Sequence, residues 1–399
     1  MRRIALLALL LIAAPAFAEI EVTRIDMLAA ESFDVNAAGP VLVRMDAPRG
    51  RIVAANANSS SLSIVDCATG AVTNIPIGGR ALQHLKDEAL AIDPETGTIA
   101  LLGPRCFYVV SAGGDAERVE TPVQFESIAV HGGTGSVFVA GREEKRLGMW
   151  RPGGLLELLP WTERSEPLVN LNQTPPPPIR KVIAAPGRDA VAAIDGYEAT
   201  LTLFDAATGE RGKTRELPFS PEARWHLAGV DEDAVYVAVE TTRRRVIEAG
   251  RIDLGGDDDL VVALPGLTEG VGIVYNPARG EIYVPYDNAA TVHVVDVREA
   301  GGIREIAVPA YGNDASAIGP GGDTLYVASW AHGEIDVVDL EERRLARRHP
   351  GLGIIPHMFS MDIDPATGRL WFPKGASAVN GTFGSALSCL LYTSDAADE

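Results

Sequence analysis

The sequence predicts an all-β protein, built as a single β-propeller of four-stranded antiparallel blades. Short β-rich strings recur eight times, and a turn rich in Asp, Pro, Thr and Gly precedes several of them. The strings begin at positions 51, 98, 136, 190, 234, 281, 324 and 369, so successive spacings run from 38 to 54 residues. A period of about 40 to 50 residues with several short strands per unit is typical of propeller blades. Eight strings predict eight blades, and seven blades are the alternative.

Each unit repeats the same order of elements. An apolar first strand is followed by a turn, then by the string above as second strand, a polar loop, a third strand and often a fourth. The turn is clearest at 93–97 (Asp-Pro-Glu-Thr-Gly) and 364–368 (Asp-Pro-Ala-Thr-Gly). Asp bonds its own backbone, Pro presets φ and Gly takes positive φ, so these segments predict tight hairpins.

The eighth unit is incomplete at its C-terminal end. Its first two strands fall at about 358–373 and a third near 383–388. A closed ring needs a fourth strand there, and the segment 19–27, with apolar Ile20, Val22 and Ile25, is the candidate. We therefore expect the N-terminal strand to complete the last blade.

The repeat strings also resemble a known family. Val-Tyr-Val-Ala at 235–238, Leu-Tyr-Val-Ala at 325–328, valine-rich third strands ending in Asp, and the Asp-Pro-x-Thr-Gly turn are similar to the YVTN-type β-propeller repeat proteins exported by bacteria. The resemblance covers about residues 40–388. It implies a propeller fold, but no particular ligand, because members of that family bind different partners.

The two ends of the chain differ from the repeats. A basic start at 1–3, an apolar run at 4–15 and Ala-Phe-Ala at 16–18 predict a signal peptide removed before Glu19, and hence a periplasmic or secreted protein. We expect no membrane span, because the apolar run is shorter than the roughly 20 residues required. Residues 389–399 break the repeat and resemble a translated sequencing adaptor. The predicted organisation is a signal peptide at 1–18, a propeller at 19–388 and a non-native tail at 389–399.

Composition excludes some functions and limits others. The chain has 35 Lys and Arg against 54 Asp and Glu, a formal charge of −19 with no basic cluster, so we expect no nucleic-acid partner. Of the 3 cysteines, Cys67 and Cys106 fall in neighbouring blades, roughly 15 to 20 Å apart by strand rise. A disulfide requires Cα atoms within about 7 Å, so these two thiols are predicted to be free and buried.

Candidate ligand-binding residues follow from the topology of a blade. In a meander, the first-to-second and third-to-fourth connections lie on one face of the ring, here called the turn face. The innermost strands begin on the opposite face, here called the channel-mouth face, which also carries the second-to-third connections. The candidates on that face are Lys86, Gln124, Arg180, Arg224, Glu269, Asp314, Trp330, His357 and Lys374, with Arg105, Arg142, Asp195, Tyr286, Asp287 and His332 in the surrounding loops.

Polar and aromatic groups at the mouth of a closed β-fold are the default candidates for a ligand site. The alternative is a hydrated channel lined with solvated groups. An insertion at 161–180, containing four prolines at 175–178, lies on the same face. It is either a rim over the mouth or an ordinary surface excursion.

From this face we expect an exported, non-catalytic monomer that binds a small molecule, a peptide or a protein, with an anionic or aromatic ligand favoured by Arg180, Arg224 and Lys374. No cofactor is predicted. The alternative is a lactonase-like, metal-dependent hydrolase or lyase in which Glu269, Asp314 and His357 hold a divalent ion. A purely structural propeller is the third hypothesis. Whether the protein is an enzyme stays open at this point.

Overall fold

The chain forms a closed ring of eight blades, which confirms the larger of the two predicted blade numbers. The computed structural model describes residues 21–26, 40–56, 59, 61–77, 89–141, 145–162, 180–241, 247–256, 258–264, 272–286, 290–298, 302–308, 313–329, 332–350, 360–374 and 386–391. Within these ranges the regular structure is almost entirely β-strand, with a 3-10 turn at Ala47–Arg49 between β-strands.

The first half of the chain contributes the N-terminal strand of blade 8 and four complete blades. They are β1 (Glu21–Asp26); blade 1, β2 (Pro40–Asp46), β3 (Arg51–Asn56), β4 (Ser61–Asp66) and β5 (Val72–Pro76); blade 2, β6 (Leu90–Ile92), β7 (Ile99–Gly103), β8 (Cys106–Val110) and β9 (Ala116–Glu120); blade 3, β10 (Ser127–His131), β11 (Ser136–Ala140), β12 (Arg146–Trp150) and β13 (Glu157–Pro160); and blade 4, β14 (Lys181–Ala184), β15 (Ala190–Asp195), β16 (Thr200–Asp205) and β17 (Arg211–Glu216).

The second half contributes three complete blades and the strands of the last one. They are blade 5, β18 (Ala223–Val230), β19 (Ala234–Thr241), β20 (Ile247–Asp253) and β21 (Leu260–Leu264); blade 6, β22 (Val274–Asn276), β23 (Glu281–Pro285), β24 (Thr291–Asp296) and β25 (Ile303–Ala307); blade 7, β26 (Asn313–Ile318), β27 (Thr324–Ser329), β28 (Glu334–Asp339) and β29 (Arg344–His349); and blade 8, β30 (Asp362–Ile363), β31 (Arg369–Lys374) and β32 (Ala386–Leu391).

Blade 8 is completed by the N-terminal strand, as the sequence predicts. Its strand order is β1-β32-β31-β30, so β1 forms the outer edge and β30 the inner edge. The register pairs Glu21 with Leu391 and Asp26 with Ala386. Because this sheet joins the two ends of the chain, the ring closes through backbone hydrogen bonds rather than through packing alone.

The last strand extends beyond the boundary predicted for the propeller. Strand β32 runs to Leu391, three residues past position 388, and it buries Cys389 and Leu390 to 3% and 0% exposure. All six of its residues pair with β31 as well as with β1, including Trp371 with Cys389. A strand between two partners is held on both edges, which is why it continues where the repeat pattern in the sequence stops.

The predicted turn chemistry is present on the turn face. At 93–97 the Asp93 carboxylate accepts hydrogen bonds from the backbone N–H groups of Glu95 and Thr96, each at 2.9 Å. The N–H of Gly97 donates to the Asp93 carbonyl oxygen at 2.8 Å, and Gly97 has φ of +73°. Positive φ is the conformation that glycine adopts without a steric cost. These turns are therefore structural.

Neighbouring blades pack face to face through apolar side chains that alternate along the strands. Between blades 3 and 4 the buried cluster contains Phe138, Met149, Val191 and Phe204, each fully buried. Arginines on the turn face add polar links between blades. Arg369 of blade 8, for example, donates to the carbonyl oxygen of Cys67 in blade 1 at 2.8 Å.

Cys67 and Cys106 are buried and not joined by a disulfide, which confirms their prediction as separate thiols. In the part of the chain that the structure describes, no helix is long and apolar enough to cross a membrane.

Candidate functional site

The eight innermost strands, β2, β6, β10, β14, β18, β22, β26 and β30, surround a central channel. Consecutive innermost strands contact one another around much of the ring, and β30 contacts β2 across the closing seam. Each of these strands pairs with a neighbour on one side only, so its other edge faces the axis. The channel wall is therefore built from residues far apart in sequence.

The fold places the described candidates at the channel-mouth face. Gln124 and Arg180 come shortly before β10 and β14, and Arg224 is the second residue of β18, so these three lie at the mouth ends of blades 3, 4 and 5. Asp314 lies near the start of β26 and Lys374 ends β31, at the same face. Lys86, Glu269, Trp330 and His357 lie outside the described residues, as do Arg142 and Asp287 of the loops.

Arg180 lies beneath this face rather than on it. Its side chain is 0% exposed, with its Nε 3.3 Å from the carboxylate of Asp195, which is also fully buried. The guanidinium carbon lies 5.6 Å from the ring centre of Trp161 and 5.2 Å from that of Tyr197. Arg180 also donates to the carbonyl oxygen of Gly141 in blade 3 at 3.5 Å. The guanidinium thus joins blades 3 and 4 and does not present its charge to solvent.

Two other candidates, Gln124 and Arg224, are more accessible than Arg180. Gln124 is exposed, and Arg224 is half-buried and lies directly across from Glu240 in the β18–β19 register. His226, two residues further along β18, has its Nε2 3.9 Å from the Glu240 carboxylate. These groups place a mixed set of charges at the mouth end of blade 5.

Three loop candidates are engaged within the protein. Tyr286 is fully buried and meets the ring of His293 edge to face, at 5.0 Å between ring centres. His332 is exposed and its Nδ1 lies 3.2 Å from the hydroxyl of Ser329. Arg105 is exposed and donates to the carbonyl oxygen of Pro122 at 3.3 Å. Only His332 and Arg105 of these are positioned to meet solvent.

A cavity of about 310 Å³ lies against the innermost strands of the channel. Its walls come from the innermost strands of blades 1 to 5, and most of the side chains are apolar. Two basic residues also line it, Arg44 on β2 and Lys181 on β14. Sequence reasoning missed both. The available signal was a lysine directly after Arg180, at the start of the otherwise apolar strand 181–184.

The innermost strands are linked edge to edge by side chains of the preceding blade. The backbone N–H of Val182 donates to the Ser127 hydroxyl at 3.1 Å, and the N–H of Val43 donates to the Ser360 hydroxyl at 2.8 Å. The N–H of Met45 donates to the Asp362 carboxylate, also at 2.8 Å. Burial raises the pKa of Asp362, and the nearby positive charge of Arg44 opposes that shift.

A metal site is not assembled by the described residues: they contain no group of three or more His, Cys, Asp or Glu placed to hold an ion. Of the three residues predicted as metal ligands, Glu269 and His357 lie outside the described ranges. The metal-dependent alternative therefore stays a prediction.

The fold defines an eight-bladed β-propeller, and a cavity is lined by the innermost strands of its blades 1 to 5. Several solved structures are similar to this chain. One is a streptogramin B lyase, which is 12% identical over 93% of this chain and 97% of the lyase chain, with a TM-score of 0.50. Virginiamycin B lyase from Staphylococcus aureus matches at 12% identity over 94% and 100%, with a TM-score of 0.51. A catalytically inactive variant of that lyase, solved with quinupristin, matches at 13% identity over 94% and 100%, also with a TM-score of 0.51.

Identities this low show the shared fold alone. No protein-family profile and no curated protein matches the chain. Membership of the YVTN-type family therefore stays a prediction from the repeat strings.

Proposed function

We propose that this chain is an exported β-propeller that binds a partner at its channel-mouth face without transforming it. The observation that carries the proposal is the cavity of about 310 Å³ lined by the innermost strands of five blades. Its size is near the lower end of the range of about 300 to 1,000 Å³ for small-molecule pockets. A small molecule is therefore the partner that the geometry favours over a peptide or a protein.

The walls of this cavity suit binding because the closed ring holds them in place. Each innermost strand is anchored in its own four-stranded blade, and the edges of β2 and β14 are tied to neighbouring blades at Val43, Met45 and Val182. A site on such a scaffold loses little conformational entropy when a ligand enters. Because this entropy loss is small, the ligand binds more tightly than it would to a flexible site. Gln124 and Arg224 would form part of the rim that a ligand passes.

Export is the second part of the proposal, and it rests on the N-terminal sequence. Residues 1–18 have the charged start, apolar run and small-x-small site of a cleaved signal. Expression in a Gram-negative host, cell fractionation and N-terminal sequencing test this directly. A mature protein that begins at Glu19 in the periplasm is expected, and full-length protein retained in the cytosol would contradict export.

The binding function is tested by screening a small-molecule panel for thermal shifts, with a variant that fills the channel. Ala91 lines the cavity, so Ala91→Leu removes space from it, whereas Ala68 is exposed on the turn face and Ala68→Leu is the matched control. Ligands that stabilise the wild type and the control, but not Ala91→Leu, are expected. A panel in which no compound distinguishes these proteins would overturn the proposal.

Metal analysis of protein purified without chelator decides between this function and the alternative. Binding without catalysis predicts no stoichiometric divalent ion. A stoichiometric ion lost in both Glu269→Ala and His357→Ala would instead favour the metal-dependent hydrolase or lyase.

A further inference from the structure

The polar side chains among the described residues that line the cavity already have partners inside the protein. They belong to Arg44, Ser127 and Lys181. Arg44 lies beside the carboxylate of Asp362 in blade 8. The Ser127 hydroxyl accepts a hydrogen bond from the backbone N–H of Val182 at 3.1 Å. Lys181 is only 3% exposed and interacts within the protein. None of the three is therefore a free charge or a free hydroxyl waiting for a ligand.

The repeat of the ring explains why Arg44 meets a carboxylate. Arg44 pairs with Val53 and Asp362 pairs with Trp371, and each partner is the third residue of its repeat string. The two charged residues therefore lie at the same level of β2 and β30, the innermost strands that contact each other across the closing seam. Because opposite charges side by side largely cancel, this pair offers a charged ligand little net attraction.

At the same level of the ring, blades 2 to 4 carry apolar residues. Ala91, Ala129 and Ile183 also pair with the third residues of their strings, and all three line the cavity. Alanines on the neighbouring strands β6 and β10 leave space that larger side chains would fill. The rest of the wall is apolar as well, and it includes Leu90, Ile92, Ile128, Val130, Leu227 and Val230.

The backbone edges of β2 and β14 add little polar capacity. The N–H groups of Val43, Met45 and Val182 already donate to side chains of neighbouring blades. The carbonyl oxygen of Val43 accepts from the Arg44 guanidinium at 3.1 Å. A polar ligand group would meet backbone groups that are already in use.

We propose, building on the binding function above, that the cavity takes a neutral small molecule with an apolar body. Such a ligand gains free energy by burying its apolar surface against the side chains of the wall. An ionised ligand would lose its hydration without meeting a counter-charge that is not already engaged, which is costly in free energy. The cavity therefore selects against charge of either sign.

Three probes with the same apolar body and different charge test the inference on the wild-type chain. Cinnamyl alcohol, cinnamate and cinnamylamine are compared by isothermal titration calorimetry at pH 7. The neutral alcohol is expected to bind at least about tenfold more tightly than either ion, because only the ions carry a charge that loses its hydration. Its binding should show a negative heat-capacity change, the mark of buried apolar surface, and should not weaken as salt is raised.

Variants then assign the effect to the cavity. Val230→Thr keeps the shape of a half-buried wall residue and adds a hydroxyl, so affinity for the alcohol probe is expected to fall at least about fivefold. The matched control is Val72→Thr, also half-buried but on the outer strand β5, which should bind as the wild type does. Ala91→Leu is the second cavity variant, and circular dichroism checks that each variant is folded.

The outcomes separate the inference about charge from the underlying binding function. An ion that binds as tightly as the alcohol in an Ala91-dependent way overturns the preference for a neutral ligand and leaves channel binding standing. Undiminished alcohol affinity in folded Val230→Thr and Ala91→Leu proteins also overturns it. If none of the three probes binds, the Ala91-dependent compounds of the larger panel decide: neutral apolar compounds support the inference and charged ones overturn it. If no compound of any charge responds to Ala91→Leu, the binding function itself fails.

Discussion

The buried ion pair of Arg180 and Asp195 provides the most direct test of how the blades are held together. Both side chains are 0% exposed and their charged groups lie 3.3 Å apart, and the Arg180 guanidinium also contacts the rings of Trp161 and Tyr197. Asp195→Asn keeps the shape of the acid but removes its charge. The guanidinium then stays buried without its counter-charge. Breaking a buried pair in this way costs about 3–5 kcal/mol of folding free energy.

This cost translates into a measurable change in melting temperature. Unfolding entropy of roughly 2.1 cal/mol/K per residue, over roughly 370 residues, gives about 0.8 kcal/mol/K. The melting temperature of Asp195→Asn should therefore fall by about 4 to 6 °C. Far-UV circular dichroism during a thermal melt measures it. The double variant Arg180→Met with Asp195→Leu should regain most of the loss, because an apolar replacement leaves no buried charge.

The matched control is an exposed ion pair with a similar distance. Arg118 and Glu120 lie 3.0 Å apart, but their side chains are 50% and 69% exposed. Glu120→Gln should shift the melting temperature by less than about 1 °C, since solvent-exposed pairs contribute about 0–1 kcal/mol. If Asp195→Asn also melts within about 1 °C of the wild type, the assignment of Arg180 as a group that joins two blades is refuted, and a direct role at the mouth regains support.

Three further predictions concern closure, pH and thiols. Deleting residues 19–26 should lower the melting temperature sharply, because β32 then loses its outer partner β1. Deleting residues 392–399 is the control and should leave the melting temperature unchanged. Equal effects of the two deletions would contradict closure of the ring by β1. Burial lowers the pKa of His293 in the folded protein below its unfolded value of about 6.5. The neutral imidazole therefore stabilises the fold fully above about pH 6.5, and this stabilisation is lost as the pH falls through the folded pKa. The free energy of unfolding, measured by denaturant titration, should fall less between pH 7 and pH 5 in His293→Gln than in the wild type. Equal falls in the two proteins would contradict this prediction. Dithiothreitol should not change the melting temperature, because Cys67 and Cys106 form no disulfide; a drop would indicate one.

The number of blades and their order could be predicted because both depend on local patterns. The strings at 98, 136 and 281 become β7, β11 and β23, each within one residue of its predicted start. The turns at 93–97 and 364–368 form because Asp and Gly act on their own backbone and need no distant partner. Closure by the N-terminal strand could also be predicted, because the eighth unit lacked a fourth strand at its C-terminal end and a closed ring needs one.

The sequence predicted at which end of each blade the described candidate residues lie, but not their surroundings. Topology alone places Gln124, Arg180 and Arg224 at one face, because the first strand of every blade begins there. Whether a side chain reaches solvent depends on its neighbours, and Arg180 is covered by Trp161 and Tyr197. The residue next to it, Lys181, lines the cavity instead. Successive residues of a strand point to opposite sides of the sheet. A prediction of the face of the ring on which a residue lies therefore does not say whether its side chain points into the cavity or into the protein.

The sequence by itself determined the strand period, the turn residues and the apolar alternation, and through them a ring of eight four-stranded blades. These features follow from interactions between residues close in the chain, which is why they can be read without coordinates. Only the tertiary structure decided that Arg44 and Lys181 share one cavity while Arg180 and Asp195 neutralise each other between blades. Such juxtapositions depend on how blades stack around the axis, and side-chain packing at each interface determines which charges are buried and which can meet a ligand.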